Sequence, residues 1–141
     1  MRQLASLSAR SATLIAAILM SLVCTASLAQ SAGCCDPASP FREGEELAAT
    51  PATCENIADW AEKAPKTSAR VTLSIVGKLS KVEASAALVY LTMCDESRLK
   101  VICVTYETND MKAGDKVSFA GGYERSTAGD VVLDPCLASP E

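Results

Sequence analysis

The sequence predicts an all-β domain: a small closed barrel of five short strands, with one short helix in front of it. Three observations predict it. Runs rich in Val, Leu and Ile alternate with period two between Arg70 and Leu137. Glycine, proline and acidic turn residues separate these runs at short intervals. No stretch with a helical period lies between them, which excludes a doubly wound parallel sheet.

The first 29 of the 141 residues are read as a leader rather than as part of the fold. Arg2 and Arg10 precede an apolar run over Leu14–Val23, and Ser27-Leu28-Ala29 places small residues at −3 and −1. That is the pattern of a secretory signal peptide cut after Ala29. The apolar run is too short for a membrane span, which takes about 20 residues. A second, minor reading is lipoprotein processing at Cys34. Ala32-Gly33 suit it, but Ser31 stands where an apolar residue is preferred.

The part from Gln30 onward is acidic. The chain holds 13 basic and 17 acidic residues; the leader takes Arg2 and Arg10, leaving 11 against 17 and a net charge of −6. The basic residues are spread singly, as in Lys78, Lys81, Arg98 and Lys100. Affinity for nucleic acid is largely electrostatic, so nucleic acid is not the expected partner. The chain has no histidine. That removes Ser-His-Asp and Cys-His catalysis and metal sites that need imidazole. Of seven cysteines, Cys24 leaves with the leader. The even set that remains, Cys34, Cys35, Cys54, Cys94, Cys103 and Cys136, is the signature of disulfides in a small exported domain.

Residues 30–69 form the expected arm. Pro37, Pro40 and Pro51 predict irregular chain before Thr53. A short helix is expected near 53–64, with Thr53 as N-cap, Glu55 in the first turn and Pro65 as the stop. Ile57, Trp60, Ala61 and Ala64 share one face, and Trp60 is the expected anchor.

Five strands follow. "RVTLSIVGKLSKVEA" alternates, and Gly77 stands where a long strand would bend. "ALVYLTMC" and "LKVICVTY" form a hairpin around Asp95-Glu96-Ser97. Met93 then pairs with Leu99, and Val89 lies opposite Cys103. "GDKVSFAGGY" and "GDVVLDPC" complete the set, the last stopped by Pro135. Lys100 should face water, so Leu99, Val101 and Cys103 face in. Cys94 is expected to point outward opposite Arg98, so Cys94 and Cys103 do not face each other.

The glycine-bent "VTLSIVGKLSKVEA", the cysteine of "LKVICVTY", the stretch "MKAGDKVSFAGG" and the closing "VVLDPCLAS" occur in this order. Over Arg70–Ser139 this resembles the exported bacterial tRNA_anti-like proteins, a group of OB-fold barrels. The resemblance implies a five-stranded Greek-key OB-fold over residues 70–139. It also implies that the third and fifth strands lie side by side in parallel, and hence a Cys103–Cys136 bridge. Strict parity turns Cys136 outward, and Pro135 is the residue that can break that parity. Cys34, Cys35, Cys54 and Cys94 then allow three pairings, with Cys94 tethering the arm to the barrel.

Three functions compete for these residues. The first is a non-catalytic periplasmic or secreted binding module. OB barrels bind on the outer face of the second and third strands, here Tyr90, Ile102, Val104 and Tyr106, unless the arm or helix covers it. Its partner would be a protein or an envelope component. The chain itself is expected to be monomeric, without transmembrane span, cofactor or metal. The second is a soft-metal or thiol-redox site from Cys34, Cys35 and Cys94 with Met93, suited to Cu(I). The third is hydrolysis. Asp95-Glu96 and Glu45-Glu46 are adjacent pairs, whose side chains diverge rather than face across a cleft.

Overall fold

The structure, a computed structural model, describes residues 35–141. The leader and Cys34, with the cleavage and lipidation readings that rest on them, lie outside the described residues.

The barrel is built from β3 (Val71–Ser85), β4 (Leu88–Met93), β5 (Val101–Thr105), β6 (Lys116–Arg125) and β7 (Val131–Pro140). The strands run in the order β3-β4-β5-β7-β6, and β6 closes back on β3. The β5–β7 contact is parallel and the other four are antiparallel. This closed five-strand order is that of the OB-fold.

Closure depends on β3 serving two neighbours. Its first half pairs with β6 from Thr72↔Gly122 to Lys78↔Lys116. Its second half pairs with β4 from Leu79↔Met93 to Ser85↔Leu88. A bulge between Leu79 and Lys81 marks the change of direction. There Ser80 Oγ donates to the Thr92 carbonyl at 2.9 Å. The β5–β6 connection satisfies Leu79: Gly114 N–H donates to its carbonyl, and its own N–H donates to the Asp115 carbonyl. The bend falls just after Gly77, as the sequence suggests. A Cβ there would lie 2.9 Å from Cys54 Sγ and 3.0 Å from Met93 Sδ, so no other residue fits without displacing a sulfur.

The arm differs from the expectation of irregular chain. It adds β1 (Phe41–Glu43), antiparallel to the start of β3, and β2 (Ala52–Thr53), parallel to Ile75-Val76. The prolines flank these strands without entering them. Phe41 and Ala52 are fully buried, and burial of these side chains is what fixes the two short pairings. The arm's guanidinium, Arg42, donates to the carbonyls of Asp36, Pro37, Ser39 and Phe41 and holds the turn before β1.

The helix, α1, is shorter than expected and spans Ile57–Glu62. Asn56, not Thr53, is its N-cap, because Thr53 is still in β2. Asn56 Oδ1 accepts from Thr53 N–H at 2.8 Å, so the side chain closes the turn rather than the helix. Ile57 is the buried anchor, and Trp60 only packs at the edge of the core beneath Lys63.

The hairpin register also differs. Met93 pairs with Val101, Leu91 with Cys103 and Val89 with Thr105. The slip is two residues, so the expected inward set is kept while the connection lengthens to Cys94–Lys100. Nor does β7 stop at Pro135: it continues to Pro140. Opposite Gly121–Tyr123 it carries an extra residue, so Leu133 and Cys136 both face in. Added Cβ atoms on Gly121 and Gly122 would come within 2.5 Å of Pro135 O and 2.6 Å of Asp134 O. The paired glycines are what let the bulged strand cross so closely.

Candidate functional site

The outer face of β4 and β5 follows from these pairings. Lys81, Thr92, Ile102 and Val132 form one cross-strand row, and Glu83, Tyr90 and Val104 form the next. Tyr90, Ile102 and Val104 are half-buried, and Tyr106 just past the end of β5 is 74% exposed. Among the described residues, neither the arm nor the helix fully buries any of the four. The helix instead sits at the 94–98 turn, where Glu62 meets Arg98 at 3.3 Å. Charged pairs border the apolar band: Lys81–Glu83 at 2.9 Å and Lys100–Asp130 at 3.5 Å.

Two of the disulfides lie elsewhere. Cys103–Cys136 joins β5 to β7 across their parallel contact, with Cα atoms 5.4 Å apart and both residues buried. The pairing implied by the resemblance is the one observed. Cys54–Cys94 ties the segment before α1 to the end of β4, with Cα atoms 5.1 Å apart. This selects one of the three open pairings. It also corrects the expected outward Cys94, which is only 6% exposed. Cys94 has φ of 65°, in the left-handed region, so the chain turns as β4 ends and strand parity no longer sets its direction. Cys35 is disulfide-bonded as well.

A second feature escaped the sequence. A cleft of about 1000 Å³ opens beside the bend of β3, lined by Cys54, Gly77, Lys78, Ser80, Cys94 and Lys116 among others. Glu55 lies on its wall, where hydrogen bonds from the Thr53 hydroxyl and from backbone N–H hold its carboxyl below the usual value. Lys78 and Lys116 oppose each other there as a like-charge cross-strand pair.

Among the described residues, no three His, Cys, Asp or Glu side chains are grouped to hold a metal ion. With its sulfur in a disulfide, Cys94 is not available as the thiolate that the expected Cys34, Cys35 and Cys94 copper set requires.

No family profile matches the chain, and no curated protein matches it. Among solved structures it is similar to a chain in the crystal structure of the S. pombe Stn1-ten1 complex. Identity is 17% and the TM-score 0.38, over 51% of this chain and 60% of that one. The OB-fold assignment therefore rests on the strand order. No helix among the described residues is long and apolar enough to cross a membrane.

Proposed function

We propose that the protein is an exported, non-catalytic binding module that holds a protein or envelope component on the outer face of β4 and β5. The observation that carries this reading is the apolar band of half-buried Tyr90, Ile102 and Val104, extended by the exposed Tyr106. OB barrels use this same face. An acidic chain with few rings on the face favours protein over nucleic acid. Export to the periplasm is supported by the leader pattern and by disulfides, which persist in oxidising compartments. The tRNA_anti-like resemblance belongs to the same reading, as does the monomeric state.

The test is site-specific photo-crosslinking in cells. A benzophenone side chain is placed at Tyr90, Val104 or Tyr106, and at Leu137 as a control of equal exposure, 73%, on β7. A discrete adduct from the three face positions and none from Leu137 is expected, lost when Tyr106→Glu is combined with the probe at Tyr90. Equal adducts from all positions, or none from the face, would refute the face as the binding surface.

A further inference from the structure

We propose that Cys54, Cys94 and Met93 form a Cu(I) site when the Cys54–Cys94 disulfide is reduced. Three sulfurs converge at the bend of β3. One point, where a Cβ on Gly77 would stand, is 2.9 Å from Cys54 Sγ and 3.0 Å from Met93 Sδ. The two sulfurs are therefore no farther apart than those distances together, and Cys94 Sγ is bonded to the first. No Cβ stands against these sulfurs, and one placed there would press on both.

Access and donor chemistry fit the same centre. Cys54, Cys94 and Gly77 all line the large cleft, whereas Cys103 and Cys136 are buried and do not line it. An incoming thiol therefore meets Cys54 first. Cα atoms 5.1 Å apart place two thiolates close enough to grip one ion. Two thiolates with a thioether and no imidazole form a soft set that selects Cu(I). This set shares only Cys94 and Met93 with the one expected from sequence. It is separate from the β4–β5 face, so it does not depend on that proposal.

The electrons come from a dithiol reductant. Its thiolate attacks Cys54 Sγ, the Cys54–Cys94 bond breaks, and Cys94 leaves as a thiolate. The reductant's second thiol then attacks the mixed disulfide, releasing Cys54 as a thiolate and leaving the reductant oxidised. Cu(I) replaces the protons that the two thiols would otherwise carry, and its own oxidation state does not change.

The experiment uses the chain with Cys34→Ser and Cys35→Ser, reduced by a dithiol without oxygen. Alkylation and peptide mapping follow which cysteines open. Cu(I) is then titrated against bicinchoninate as competitor, and X-ray absorption reads the copper shell. Cys54 and Cys94 are expected to open before Cys103 and Cys136. The reduced chain should take one Cu(I) in an all-sulfur shell, and the oxidised chain none. Met93→Leu conserves volume in the core, so it should leave the fold intact and weaken binding about tenfold. Prior opening of Cys103–Cys136, equal binding by oxidised and reduced chains, or a shell containing nitrogen or oxygen would each overturn the proposal. So would unchanged affinity in folded Met93→Leu. The copper shell is read on the chain that keeps Met93, so that measurement does not depend on whether the variant folds.

Discussion

Tyr123 is the residue whose chemistry fits its place least well. Its ring meets Phe41 edge to face, centroids 5.0 Å apart, but its hydroxyl is buried with no hydrogen-bond partner. Burial pushes the phenol's pKa up, against a smaller opposing pull from Arg125. The fold thus favours the neutral phenol. That contribution is fully present below the unfolded pKa, near about 10, and is lost as pH rises through the higher folded value. Tyr123→Phe removes the unpaired hydroxyl and should stabilise the protein by about 1 kcal/mol. It should also flatten part of the alkaline decline. Thermal melts of both proteins between about pH 8 and pH 11 check this, and a variant that loses stability as steeply as the parent would refute it. Cys94 teaches the related lesson about reading single residues. Its outward direction follows from strand parity, but one left-handed φ at the strand end reverses it. Backbone dihedrals at strand ends are not written in a hydrophobic pattern.

At the scale of elements, alternation is the reliable signal and register is not. The inward set Leu91, Met93, Val101 and Cys103 follows from parity alone, because Lys100 must face water. A two-residue slip preserves that set, so parity cannot detect the longer 94–100 connection. The same limit applies to Ile57 and Trp60: spacing places both on one helix face, and only the shape of the surface beneath makes the smaller residue the anchor. In β7 the extra residue at Asp134-Pro135 is what brings Cys136 round to Cys103. That disulfide therefore clamps the parallel β5–β7 contact, which pairs over only Val101–Cys103 and Val131–Leu133. Its two ends are 33 residues apart, so its removal frees a long loop in the unfolded chain. Cys103→Ala with Cys136→Ala should cost about 2–4 kcal/mol. Urea unfolding of the oxidised proteins measures it, with Cys54–Cys94 verified intact by mass. A change near zero would show that the ladder alone holds β5 to β7.

At the scale of the whole molecule, the arm is part of the barrel rather than an appendage to it. Composition separates an arm over 30–69 from a β-rich region over 70–139, and the division is real as texture. The core does not respect it. Phe41, Ala52 and Ile57 are as buried as Leu73 and Ile75, on which the arm's strands pair. Ile57 lies on the helix face that spacing marks, but Phe41 and Ala52 stand in a proline-rich stretch with no period, which is why their burial is not legible in the sequence. Fully burying a residue such as Phe41 or Ile57 is worth roughly 1.5–3 kcal/mol each, a large share of the roughly 5–15 kcal/mol that holds a domain together. A chain that starts at Arg70 keeps all five barrel strands and Cys103–Cys136, yet loses that cover and the Cys54–Cys94 tie. It should therefore fail to unfold cooperatively and should bind a hydrophobic dye, whereas a chain that starts at Gln30 should melt in one sharp transition. Near-ultraviolet circular dichroism and calorimetry on the two chains decide the matter. A sharp, reversible melt of the shorter chain would mean that the five-stranded barrel is self-sufficient and that β1, β2 and α1 serve only the cleft they help to wall.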